Sequence, residues 1–105
     1  MKRIYNKLVR DRIPEIIKSD GNSAKTKILT DGEYIAELDK KLIEEMNEYL
    51  ESGSLEELAD LSEVIRAVTL ARGHSLEQLE NLRTDKAEKR GGFEKKIFLI
   101  EVDEK

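Results

Sequence analysis

With 105 residues and no cysteine, the chain has room for one domain around a modest core, and none for disulfides or thiolate metal sites. The 19 basic and 23 acidic side chains leave a net charge of −4, which argues against wholesale binding to a nucleic-acid polymer. No apolar run reaches membrane-spanning length, and the opening Met1-Lys2-Arg3-Ile4-Tyr5 lacks the apolar core of a signal peptide, so the expectation is a cytoplasmic protein that engages no membrane.

In chain order, Ile13-Pro14-Glu15-Ile16-Ile17 reads as a short helix with proline in its first turn, stopped by Gly21. Residues 25–29 read as a brief strand. Thr30-Asp31-Gly32-Glu33 is a capping box that opens a long helix, with Ile35, Leu38, Leu42, Met46 and Tyr49 as its apolar stripe. Ser52-Gly53-Ser54 is a turn. Ser54 and Glu57 form a second capping-box pattern, and the helix they open carries Leu58, Leu61, Ile65 and Val68 and ends near Gly73. Ser75 and Gln78 mark a third start, for a helix running to about Arg90 before Gly91-Gly92. Residues 96–102, rich in Ile, Leu, Phe and Val, read as a strand that pairs with 25–29. The expected architecture is therefore mainly α, an antiparallel helical bundle in one domain spanning 1–105, with a small hairpin-like pairing of short strands.

Chemistry concentrates in two carboxylate pairs, Glu45-x-x-Glu48 and Glu57-x-x-Asp60. Residues three apart share a helix face, and antiparallel helices joined by a tight turn bring the pairs together. Like charges in one cleft repel unless a cation lies between them. All-oxygen ligands suit a hard divalent ion, Mg²⁺ with Mn²⁺ as a substitute, and the usual work of such an ion beside carboxylates is phosphate chemistry. At about 100° per residue, all four fall on the shoulders of their apolar stripes, between core and water, with Glu44 and Glu63 pointing further outward. Ordinary roles compete: Glu57 is also the reciprocal partner of the Ser54 cap, and Asp60 sits where the helix macrodipole favours an acid.

Lys41-Leu42-Ile43-Glu44-Glu45-Met46-Asn47-Glu48, followed by Glu57-Leu58-Ala59-Asp60-Leu61, resembles the two-part signature of the all-α nucleoside triphosphate pyrophosphohydrolases. That superfamily includes MazG proteins, phosphoribosyl-ATP pyrophosphohydrolases and dimeric dUTPases. The opening Tyr5-Asn6-Lys7-Leu8-Val9-Arg10-Asp11-Arg12-Ile13-Pro14 is similar to a single-domain, MazG-like branch of about this length. The resemblance implies Mg²⁺-dependent cleavage of the α–β phosphoanhydride of a nucleotide, giving a monophosphate and pyrophosphate. It implies Glu45, Glu48, Glu57 and Asp60 as metal ligands, with Glu45 and Glu48 as the catalytic pair and Glu45 holding the attacking water. The segment Lys86-Ala87-Glu88-Lys89-Arg90-Gly91-Gly92-Phe93 is similar to the basic stretch that contacts phosphates in MazG-type enzymes, which points to Lys86, Lys89 and Arg90. Two departures stand out: the pairs are separated by a short linker, and Glu88 stands where that stretch carries asparagine. By the same resemblance the cellular task is removal of damaged nucleotides. Hydrolysis of phosphoribosyl-ATP in histidine biosynthesis is an alternative with the same metal logic. A non-catalytic helical module that binds nucleotide or protein is the alternative from another class.

The remaining candidates are read from the residues alone. Lys7, Arg10 and Arg12 cluster before Pro14 and would attract an anion; Lys7 and Arg10 are the expected phosphate contacts, with surface ion pairing as the competing role. His74 follows Gly73 at a helix end and has no evident partner, so a turn role is expected. Tyr34 and Tyr49 sit on helix faces, as core, interface or base-stacking positions. Amphipathic helices in a chain this short leave apolar stripes uncovered, so self-association as a homodimer or larger is expected.

Overall fold

The protein was studied as a computed structural model that describes residues 1–105. Its regular structure is entirely α-helical: α1 (Ile13–Ser19), α2 (Asp31–Ser52), α3 (Leu55–Ala71) and α4 (Leu76–Arg90). The chain divides into two compact units, Met1–His74 and Ser75–Lys105.

In the first unit Pro14 occupies the first turn of α1, where its missing N–H costs nothing. Gly21 takes a left-handed conformation at φ 83° just past the helix, and the Asn22 N–H closes back on the Ile17 carbonyl at 3.1 Å. α2 opens on a complete capping box: Thr30 Oγ1 accepts the Glu33 N–H at 3.3 Å, and the Glu33 carboxylate accepts the Thr30 N–H at 3.0 Å. The Thr30 N–H chiefly, and the Thr30 hydroxyl beside it, hold the Glu33 carboxyl below the usual carboxylate range. Replacing Thr30 with alanine is expected to destabilise the fold by about 1 kcal/mol, read as a lower thermal midpoint, whereas Thr30→Ser leaves it nearly unchanged.

α2 ends at Gly53, left-handed at φ 65°, whose N–H returns to the Tyr49 carbonyl at 2.7 Å. That tight exit folds α3 back along α2. At the far end of the antiparallel pair, Arg72, just past α3, donates to Asp39 of α2 at 3.0 Å. Within this unit the helices pack along one seam, between α2 and α3. Leu38 and Val64 are its buried apolar residues, 3% and 8% exposed.

The stripes differ in detail from those that hydrophobic spacing selects. Met46, Leu58 and Ile65 are substantially exposed, while Glu45 and Val64 are buried. Each helix is turned so that part of its apolar stripe faces outward, which a single chain with one helix–helix seam cannot avoid.

The second unit consists of α4 and the chain that follows it. Ser75 and Gln78 make a second complete capping box. Glu80 and Arg83 pair along the exposed helix, lowering the Glu80 carboxyl and raising the Arg83 guanidinium, in both cases chiefly through their hydrogen bond. No residue of α4 is buried.

The expected strands are not present: residues 25–29 and 96–102 both lack regular structure. Ile28, Ile97, Phe98, Leu99, Ile100 and Val102 are exposed. A strand exists only by bonding to a neighbouring backbone, and β-propensity in the side chains does not supply that neighbour. No helix of the chain is long and apolar enough to cross a membrane.

Candidate metal centre

The α2–α3 seam changes character along its length. It is apolar around Leu38 and Val64, and acidic where Glu45 of α2 comes together with Glu57 and Asp60 of α3. One carboxylate oxygen from each of these three residues lies within 4.8 Å of the other two. The Glu45 side chain is only 9% exposed, so it lies inside the seam rather than on the shoulder that helical spacing suggests. Glu57 and Asp60 are half-buried.

Local structure explains why Glu57 is available. In the other two capping patterns the third residue of the helix reaches back to the cap N–H, as Glu33 does to Thr30 and Gln78 to Ser75. At α3 the Ser54 hydroxyl accepts the Glu57 N–H at 3.3 Å, but the Ser54 N–H goes instead to Ser52 Oγ at 3.2 Å. With the cap satisfied by Ser52, the Glu57 carboxylate turns into the seam. The competing role of Glu57, as reciprocal cap partner, is thus taken by a serine that sequence patterning did not single out.

Glu45 Oε2 and Glu57 Oε2 are buried without a hydrogen-bond partner. A buried acceptor left unsatisfied costs roughly 1–3 kcal/mol, more when charged. A hard cation between the helices would satisfy both oxygens. An octahedral magnesium ion places adjacent ligands about 3.0 Å apart and opposite ones about 4.2 Å, so three oxygens within 4.8 Å of one another would draw together around it. The donor set is all oxygen, with no imidazole or thiolate, and suits a hard divalent cation such as Mg²⁺ or Mn²⁺ better than zinc.

Glu48, the remaining member of the expected set, is exposed and lies outside the close trio. It is nevertheless near enough to act on two of its members. Burial raises the Glu45 carboxyl above its ordinary value, and the charge of Glu48 adds to that. Loss of water raises Glu57 too, followed by the adjacent Glu48 carboxyl.

Three cations border the acids. Lys41, one turn before Glu45 and mostly buried, places Nζ 3.7 Å from Glu45 Oε1 and 3.8 Å from Glu44 Oε1. The i,i+4 spacing of Lys41 to Glu45 is the sequence signal that marks it as a partner. Arg10, expected at phosphate, donates to Asp60 Oδ1 at 2.7 Å. Lys7, expected there too, sits 3.7 Å from Glu44 Oε1. Glu44 is thereby drawn into the charge network rather than turned out to water. Lys86, Lys89 and Arg90 lie in the second unit, exposed on the last turns of α4. His74 follows α3 in an exposed turn, its N–H bonded to the Thr69 carbonyl at 3.0 Å.

The raised carboxyls fix the sign of a pH effect. Glu45 and Glu57 bind a proton more tightly in the folded chain than in the unfolded one. Their contribution to stability is complete below the ordinary glutamate value near about 4.3, and it is lost as pH rises through the raised folded-state values. Chelator-treated protein should therefore lose thermal stability as pH rises through the window above that value. Saturating Mg²⁺ should reverse this slope, because metal binding competes with the same protons. Thermal midpoints across pH, with Mg²⁺ and with EDTA, test both signs.

No family model matches the chain, and no solved structure does. A curated protein of Mycolicibacterium smegmatis, itself described as uncharacterized, is 54% identical over 41 residues. The matched stretch is 39% of this chain and 42% of that relative's length, so the similarity relates a segment of each and carries no activity from one to the other.

Proposed function

We propose that the chain is a Mg²⁺-dependent nucleotide pyrophosphohydrolase, a MazG-like member of the all-α superfamily, which cleaves a nucleoside triphosphate or related nucleotide to a monophosphate and pyrophosphate. The observation that carries the reading is the pair of buried, unpartnered oxygens on Glu45 and Glu57, with an oxygen of Asp60 within 4.8 Å. Carboxylates serving only to solvate a helix have no reason to meet in a seam where they repel.

Glu45, Glu57 and Asp60 would hold the ion, and Glu48 would complete the set from the exposed edge where substrate arrives. The ion's contribution there is to neutralise charge on the phosphates and lower the pKa of the attacking water. Glu45, least hydrated of the acids, accepts and orients that water's proton. Lys41 holds the Glu45 side chain from the same helix, 3.7 Å away, and limits the cost of keeping it charged. A cytoplasmic setting and a homo-oligomeric assembly belong to the same proposal.

The competing non-catalytic reading draws on one observation: Arg10 and Lys41 already offset part of the acidic charge. The deciding measurement is pyrophosphate release from a panel of standard and modified nucleoside triphosphates, together with phosphoribosyl-ATP, with Mg²⁺ and with EDTA. Metal-dependent formation of monophosphate and pyrophosphate supports the enzyme reading, and the preferred compound separates a nucleotide-cleansing role from histidine biosynthesis. Folded protein that turns over none of them with Mg²⁺ or Mn²⁺ leaves the binding module.

A further inference from the structure

The cations around the carboxylates differ in what holds them in place. Lys41 belongs to the middle of α2, a helix of 22 residues, so it cannot leave the acids except by a swing of its own side chain. Arg10 belongs to the segment before α1, where residues 1–10 have no regular structure and are mostly exposed. That segment is anchored at one end, where the Ile13 N–H bonds the Arg10 carbonyl at 3.1 Å. Two ion pairs tie its side chains to the helices: Arg10 to Asp60 of α3 at 2.7 Å, and Lys7 to Glu44 of α2 at 3.7 Å.

We infer that Arg10 is a removable internal counter-cation of the carboxylate seam, and that a divalent ion taken up by Glu45, Glu57 and Asp60 displaces it from Asp60, freeing its guanidinium for an incoming phosphate. The inference rests on the proposed metal reading. Asp60 Oδ1 is the Arg10 acceptor, so coordination through Asp60 and the guanidinium bond compete for one small carboxylate. A second full positive charge at that carboxylate repels the ion. The Arg10–Asp60 pair is solvent-accessible on both sides, where such pairs are weak and salt-screened. The ion also satisfies Glu45 Oε2 and Glu57 Oε2, which Arg10 does not. Displacement therefore exchanges a weak surface pair for ligation of buried oxygens. A released Arg10 keeps all its donors and stays tethered beside the site by α1, suited to the bidentate geometry in which guanidinium binds phosphate.

The test uses the full chain and Mg²⁺ alone, without substrate. Calorimetric titration of wild type, Arg10→Gln and Glu45→Gln measures affinity. The Arg10 side-chain Nε–H resonance, identified by its absence in Arg10→Gln, is followed as Mg²⁺ is added. Removing a competing cation should tighten Mg²⁺ binding about two- to five-fold in Arg10→Gln, and the Arg10 resonance of wild type should move in step with metal occupancy. Equal or weaker binding by Arg10→Gln, or a resonance that stays put at saturation, overturns the displacement while the metal site stands. If wild type and Glu45→Gln are equally unable to take up Mg²⁺, the metal reading fails and the inference falls with it.

Discussion

Glu45→Gln should abolish metal-dependent pyrophosphate release while making the metal-free fold more stable. The two effects have a single cause. Glu45 is the most buried of the acids, its carboxyl is raised by desolvation first and by Glu48 second, and one of its oxygens is without a partner. Ionised and without metal, it costs the fold; with metal, it is a ligand. Glutamine keeps the shape, removes the charge that Glu48 and Asp60 oppose, and leaves Lys41 paired with Glu44 at 3.8 Å. The expected gain is about 1 kcal/mol, a rise of several degrees in the thermal midpoint measured in EDTA. Loss of a ligand that stabilises charge in the transition state is worth about 3–4 kcal/mol, or about 10²–10³-fold in rate. A variant both more stable and inactive is hard to explain by misfolding. A Glu45→Gln chain that retains full activity would end the proposal that Glu45 is catalytic.

Legibility from sequence was uneven, for physical reasons. Helix starts were plain because Thr30 and Ser75 cap through local bonds that span only three residues. The carboxylates Glu45, Glu57 and Asp60 were legible because a tight turn at Gly53 and helical periodicity bring them together. How deeply Glu45 is buried was not legible: the rotation of α2 depends on what α3 presents, and a period of 3.6 leaves tens of degrees undetermined. The release of Glu57 from its cap turned on Ser52, one residue before the turn glycine. The pairing of Arg10 with Asp60 spans 50 positions, beyond the reach of any local pattern. The β-rich composition of residues 96–102 was equally plain, but composition does not create the backbone partner a strand requires. Sequence thus located the acids and the N-terminal cations Lys7 and Arg10, but not that Lys7 pairs with Glu44 and Arg10 with Asp60.

Wild-type protein should sediment at twice 12.1 kDa or more, and Ile65→Glu should shift it toward the monomer. The apolar residues turned away from the seam supply a candidate face. Ile43, Met46 and Leu50 recur along α2 at spacings of three and four, and Leu55, Leu58 and Ile65 do so along α3 at three and seven; all are exposed. Two such hairpins placed face to face form a four-helix core that one chain lacks. Ile65 points out of the seam at 40% exposure, so a charge there does little to an isolated chain. Buried in a partner's apolar face, the same charge should weaken association by about 2 kcal/mol or more, at least roughly thirty-fold. Sedimentation velocity at several concentrations reads the shift, and the helical circular dichroism of Ile65→Glu shows whether the hairpin survives. Because subunit association stabilises by mass action, the wild-type thermal midpoint should also rise with protein concentration. A wild-type chain that stays at 12.1 kDa across the whole range, with a concentration-independent midpoint, would mean that the outward stripe serves another partner or none.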